Sequence, residues 1–251
     1  MGVFDNVDIV YEKRKSMVIT VDNKGVVTLK APIGTKAELV NAFLKSKQKW
    51  IKDKVKKSEA VAGRFSHILD LSNVLYLGVE YPVAIVGDKP TKIKDSQFVI
   101  ALKHADKESR KKQIASYLKR QAKKYIEQRC DYIANHMGMR YDSLKIIDSR
   151  SRWGVCKIKN TSPTTSASRL SSVARQQASK GQPLKEIGLN WRLIMLPPLI
   201  IDYVVIHELA HFKHMDHSKE FWMFVEQFMP NFREVRKALK EVNVLNTMFR
   251  K

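Results

Sequence analysis

Between Val7 and Pro32 the stretches VDIVYE, SMVITVD and VVTLKAP carry β-branched residues at alternating positions, which predicts strands. Asn23-Lys24-Gly25 sits between the last two and suits the turn of a hairpin. Past Pro32 the period lengthens. Thr35 and Glu38 have the S/T-x-x-E spacing of a capping box. Leu39, Val40, Phe43, Trp50, Ile51 and Val55 then recur at helical spacing, so one helix is predicted from Thr35. Its other face carries Lys45, Lys49, Lys52 and Lys56 and is read as solvated. Residues 73–86, NVLYLGVEYPVAIV, predict two strands about Gly78, and Gln97–Leu102 predicts another. Residues 1–102 therefore form an N-terminal, mainly β region with one helix.

The pattern changes in residues 103–251. Ile114, Leu118, Ala122, Tyr125, Ile126, Ile133 and Met137 mark one face of a long helix that ends near Gly138. Its outer face holds Arg110, Lys111, Lys112, Lys119, Arg120, Lys123 and Lys124. SLKIID predicts a strand, and IGLNWRLIML another over Ile187–Leu196. Residues 157–186, rich in Ser, Thr, Lys and Gln, read as an exposed loop with a short helix near Arg169–Ala178. Pro197-Pro198 turns the chain into a further helix, and helices over 218–228 and 231–242 flank Pro230.

The chemistry concentrates in HELAHFKHMDH, His207–His217, which holds four of the chain's seven histidines. His207 and His211 are four residues apart, so they share a helix face and can bind one zinc ion. Glu208, about 100° further round the helix, is placed to hydrogen-bond the metal's water. A catalytic zinc takes a third protein ligand and leaves one position to water. His214 lies about 10.5 Å along the axis of a straight helix from His207, a strained span. His217 can reach back if the helix ends near Lys213–Asp216, and Asp216 or Ser218 can cap a new helix there. His217 is favoured. Glu226 and Glu234 are the alternatives from a later helix.

Composition bounds the setting. There are 46 Lys+Arg against 25 Asp+Glu, a net charge of +21, so a nucleic-acid partner is possible through the basic surface. Two cysteines make a disulfide framework unexpected and fit a reducing cytoplasm. No apolar run reaches membrane-spanning length, and the N-terminal stretch shows no secretory signal pattern.

SRWGVC, LNWRLIMLPP, DYVVIHELAHFKHMDHSKEFW, SKQKWI and the N-terminal hairpin together resemble the YgjP-like metallopeptidases, over nearly the whole chain. The resemblance implies an α+β, zincin-like domain with a small sheet, one Zn2+ per chain, and a third histidine in the H-S-x-x-F-W segment. That carries the metal ligands onto His207, His211 and His217 and the general base onto Glu208. The partner expected is a peptide or protein substrate. His217–Phe221 is also similar to the third-ligand segment of SprT-type proteases, which act on DNA-bound proteins. One departure stands out: where the family has a short turn, residues 157–186 intervene, read here as a passive surface insertion. Asn190 and Arg192, on the strand predicted before the metal helix, are candidate substrate-binding residues. Trp153 and Cys156 are read as core, and Arg152 has no assigned role. The rival readings are a hydrolase of other amides or esters, and a basic nucleic-acid-associated protein with a structural or inactive metal site.

Overall fold

The computed structural model describes residues 7–22, 25–86, 90–101, 106–149, 151–160 and 183–249. The fold is α+β, with several small sheets and a helical C-terminal part. It divides into two compact units, Met1–Leu69 and Asp70–Lys251. That division lies ahead of the 102/103 boundary read from the sequence. The reason is strand pairing: Gln97–Ile100 is hydrogen-bonded into a sheet with strands from residues 73–94, all inside the second unit.

In the first unit, β1 (Val7–Glu12), β2 (Val18–Val21) and β3 (Val27–Pro32) form a sheet ordered β1-β3-β2. β2 and β3 pair antiparallel, as a hairpin requires, and β1 lies parallel to β3. Alternate residues Val27, Leu29 and Ala31 point inward against Val40, Leu44 and Ile51. Two expectations need correcting. The capping box does not form: the Thr35 hydroxyl and N–H both donate to the Pro32 carbonyl, closing the turn after β3, and the helix starts at Ala37 without a side-chain cap. The predicted single helix is two, α1 (Ala37–Ser46) and α2 (Gln48–Arg64), followed by the short α3 (Ser66–Leu69). Neither Gly nor Pro marks the break at Lys47. Leu39 and Trp50, predicted on the inner face, are exposed.

In the second unit, β4 (Asn73–Tyr76), β5 (Val79–Ile85), β6 (Lys92–Lys94) and β7 (Gln97–Ile100) form a sheet ordered β4-β5-β7-β6. α4 (Lys107–His136) starts at Asp106, whose carboxylate accepts from the Ser109 N–H. Its inner stripe, Ile114, Leu118, Ala122, Ile126, Cys130 and Ile133, is buried. Outside it, Lys112, Lys119, Arg120, Lys123 and Lys124 are exposed, with Lys119 paired to Asp148 at 3.0 Å.

A three-stranded sheet carries the site. β8 (Ser143–Ile147), β9 (Gly154–Lys159) and β10 (Leu184–Asn190) are ordered β8-β10-β9, so β10 is central and β9 an edge. β10 ends at Asn190. Trp191–Met195 is a 3-10 turn instead of the strand continuation predicted through Leu196. The Asn190 side chain causes the stop by accepting from the Arg192 N–H. The Ile194 and Met195 carbonyls accept from the Leu77 and Gly78 N–H groups. Gly78 has φ +80°, and a Cβ there would lie 2.7 Å from Pro197, so only glycine lets this turn rest against the start of the next helix.

That helix is α5 (Pro198–Ala210), with Pro198 in its first turn, where no N–H is needed. It is apolar on nearly all sides, the mark of a buried helix. Its one paired acid, Asp202, takes a two-pronged bond from Arg129 of α4 at 2.5 and 2.8 Å. α6 (Lys219–Phe228) and α7 (Phe232–Glu241) follow. No helix among the described residues is long and apolar enough to cross a membrane. The insertion falls largely on residues 161–182, outside the described residues, as does the helix predicted at Arg169–Ala178.

Candidate metal centre

The last turns of α5 carry His207, Glu208 and His211. The helix stops at Ala210, and a tight turn follows in which the Phe212, Lys213 and His214 N–H groups bond back to Leu209 and Ala210 carbonyls. Asp216 accepts from the Ser218 N–H, and Ser218 caps α6 by accepting from the Phe221 N–H. This break folds His217 back onto the helix. Its Nε2 lies 3.1 Å from that of His207, and one nitrogen from each of His207, His211 and His217 falls within 4.8 Å of the others. Metal–nitrogen bonds of 2.0–2.1 Å in a tetrahedron set ligands about 3.3 Å apart, so the donor set fits one ion.

The surroundings hold the rings in place. His211 Nδ1 lies 3.1 Å from the His214 carbonyl, which suits an Nδ1–H donor and leaves Nε2 free to ligate. His214 thus contributes its backbone, while its ring packs near Phe224. Phe221 is fully buried, with its ring centroid 5.0, 4.6 and 4.9 Å from those of His207, His211 and His217. Trp222 stacks on His217 and on Phe232, with the Arg236 guanidinium over its face at 4.6 Å. Phe221 and Trp222 entered the sequence reading only as letters of the H-S-x-x-F-W segment, without a role, although the spacing His217 to Phe221, one helical turn, carries the signal.

Burial, then the neighbouring His211 and His217, lower the His207 pKa to about 3, so the imidazole is neutral and able to ligate. His211 is lowered too, chiefly by burial. Glu226 pairs with Arg233 at 2.5 Å, and neither it nor Glu234 joins the histidine cluster.

Glu208 faces β9. It is 7% exposed, and burial raises its carboxyl to about 8, opposed by the charge of Arg152. Its seat depends on Gly154. A Cβ at that position would lie 2.5 Å from Glu208 Cγ and 2.6 Å from Cδ, and closer still to Oε1. Cys156, two residues on and on the same strand face, feels the same carboxylate; burial first, then Glu208, raise its thiol to about 12. It is half-buried. Trp153 is buried on the other face, its indole N–H donating to Asn243.

Asn190 and Arg192 do not reach the open edge of the sheet. β10 has partners on both sides, and the two side chains are 0% and 1% exposed. Asn190 Nδ2 donates to the Ser149 and Arg152 carbonyls and to Asn246 Oδ1. Arg192 donates to the Met248 carbonyl and to Asp148. Burial works to raise Asp148, but the Arg192 and Lys119 bonds outweigh it and hold that carboxyl down at about 2. Both residues tie the segment before β9 to the C-terminal turn. The strand prediction through Leu196 hid this, because burial and strand order are long-range properties.

The model of the YgjP-like metallopeptidase domain matches residues 15–162 and 158–242. The two matched stretches meet inside the segment 157–186. Neither curated proteins nor solved structures gave a match.

Proposed function

The chain belongs to the YgjP-like metallopeptidase family, and from that premise we propose that it is a zinc-dependent peptidase with Glu208 as general base. The observation that carries the reading is the convergence of His207, His211 and His217 beside a buried glutamate, with no fourth His, Cys, Asp or Glu joining them among the described residues. A structural zinc site is closed by a fourth protein ligand, whereas a catalytic one keeps a position for water. This argues against the rival of a structural metal in a basic nucleic-acid-associated protein.

Zinc held by the three imidazoles would lower the pKa of its water and polarise the scissile carbonyl. Glu208 accepts a proton from the attacking water and passes it to the leaving amine. Its raised carboxyl is suited to exchanging protons near neutral pH, and a dication beside it favours the ionised form. Gly154 keeps the carboxylate in its seat, and His214 and Phe221 hold the ligand rings.

The substrate platform in this reading is β9, replacing Asn190 and Arg192. The Asn190 N–H donates to the Trp153 carbonyl, and by antiparallel alternation Val155 and Lys157 also bond inward to β10. The backbone N–H and C=O groups of Gly154, Cys156 and Ile158 therefore point away from β10, to an edge with no strand partner among the described residues, where an extended peptide can add as a strand.

The test is zinc content and peptide-library cleavage on wild type and Glu208→Gln side by side. One zinc per chain in both, with cleavage in wild type alone, is the expected result. Cleavage retained in Glu208→Gln rejects it as the base, and absence of zinc from both rejects the metal centre.

A further inference from the structure

The metal centre uses none of the cations on the outer side of α4, although this helix belongs to the same compact unit. Those cations are arranged in rows. Lys112, Ser116, Arg120, Lys124 and Gln128 follow one another at four-residue spacing, and every one of them is exposed. No carboxylate interrupts this row. Lys119 and Lys123 begin the adjacent row, which turns acidic only at Glu127 and Asp131. The polar face is therefore cationic from Lys112 to Lys124 and mixed beyond. At 1.5 Å per residue, the cationic part is about 18 Å long.

Two observations set this face apart from an ordinary solvated one. Its cations are largely unpaired. Lys119 is held by Asp148 at 3.0 Å, but Lys112, Arg120, Lys123 and Lys124 have no ion pair among the described residues. The like charges are also close together. Arg120 and Lys124 stand one helical turn apart, as do Lys119 and Lys123. Like charges at that spacing weaken a helix, whereas alternating Glu and Lys would strengthen it. A bound polyanion removes the repulsion.

The surroundings select among polyanions. The apolar stripe of α4 is buried in the core, so the helix has nothing to insert into a lipid surface. Tyr117 turns its ring inward, 5.0 Å from Phe98 and 6.5 Å from Tyr76, and no aromatic residue is exposed between Lys112 and Lys124. The unpaired bases of a single strand would find no ring to stack on. What remains is a line of cations, which suits a duplex carrying one phosphate charge per about 1.7 Å of its axis. Duplex RNA is held by modules that reach across two minor grooves, a breadth one helix face lacks.

We propose that the Lys112–Lys124 face of α4 docks this unit on the phosphate backbone of duplex DNA without reading its sequence. The inference goes beyond the peptidase reading and does not depend on it. The test is the salt dependence of binding. A labelled duplex of mixed sequence is titrated with the full chain from about 50 to 200 mM salt, a range over which phosphate contacts are readily counted. One variant carries Lys112→Gln, Arg120→Gln, Lys123→Gln and Lys124→Gln together. The control carries Lys49→Gln, Lys52→Gln, Lys56→Gln and Lys57→Gln, which removes as much charge from exposed positions of α2.

Each phosphate contact contributes about 0.9 to the slope of log affinity against log salt, so the α4 variant should lose about 3.6 from that slope. Over the fourfold range of salt, it should weaken about 150-fold less than wild type. The control should keep the wild-type slope, and both variants should keep zinc. The α4 variant should melt no lower than wild type, because repulsion has been removed. Should it fold poorly, Lys112→Gln with Lys124→Gln replaces it, with an expected loss of about 1.8. Equal loss of slope in the α4 variant and the control would mean that overall charge binds DNA and no face does, and would overturn the proposal. A wild-type slope in the α4 variant would overturn it too. So would tighter binding of wild type to phosphatidylserine vesicles, a single-stranded oligonucleotide or polyglutamate than to the duplex at the same salt.

Discussion

Replacing Gly154 by alanine tests the site through a single carbon atom. The new Cβ would stand 2.5 Å from Glu208 Cγ and 2.6 Å from Cδ. Ordinary carbon–carbon contact is about 3.5–4.0 Å, so the carboxyl arm has to retreat by roughly 1 Å. Glu208 is 7% exposed and has little space to retreat into. A misplacement of about 1 Å at a reacting group costs about 100-fold in rate, or about 2.7 kcal/mol in the barrier. The overpacking itself costs about 1–3 kcal/mol of stability. The two effects separate with a control. Gly188→Ala crowds the same sheet, its Cβ 2.8 Å from Val155 Cγ1, without touching Glu208. The assay is kcat/KM on the best library peptide, with zinc content and thermal melting on each variant. Both variants should melt lower and keep zinc, and only Gly154→Ala should lose most of its turnover. A folded, zinc-loaded Gly154→Ala with near wild-type turnover would refute the idea that this glycine seats the base.

Other outcomes follow from the same geometry. His217→Ala should lose tight zinc after dialysis, whereas His214→Ala should keep it, because alanine retains the carbonyl that faces His211. Asn190→Ala leaves the Ser149 and Arg152 carbonyls without their donor and should cost about 2–6 kcal/mol in urea unfolding, at roughly 1–3 kcal/mol per group left unpaired. In chelator, melting against pH should be dome-shaped. His207, lowered from 6.5 to about 3, makes stability rise with pH between those values, since the unfolded chain binds the extra proton. Glu208, raised from 4.5 to about 8, makes it fall with pH over that window, since the folded chain holds the proton. The two cancel between 4.5 and 6.5, leaving a rise below and a fall above, and zinc should remove the fall by favouring the carboxylate.

Elements with a strong local period were legible in the sequence. The stripe from Ile114 to Ile133 marked α4, and a break was expected near Lys213–Asp216, with Asp216 or Ser218 as caps, although the helix stops earlier, at Ala210. The H-E-x-x-H spacing, with the resemblance behind it, named the residues that converge. What stayed hidden was set by distant partners. Nothing local says that β10 lies between β8 and β9, so Asn190 and Arg192 passed for edge residues when they are buried ties. The seat at Gly154 exists only because Glu208 arrives from a helix more than fifty residues later. Thr35 shows the local version of the same failure: two local hydrogen-bond schemes compete, and the Pro32 turn wins.

The antiparallel pairing of β9 and β10 also bears on how such a chain can diversify. Gly154 pairs with Leu189 at one end of this hairpin and Lys159 with Leu184 at the other. At about 3.4 Å per residue, the five-residue separation puts the outer end roughly 17 Å from the glycine that seats the base. The join across residues 160–183 starts from that outer end. A change of length at that end therefore enters the sheet five residues from Gly154 and away from the Gly154–Leu189 pair. The same separation makes that outer end of the hairpin the place to insert a reporter or an affinity handle.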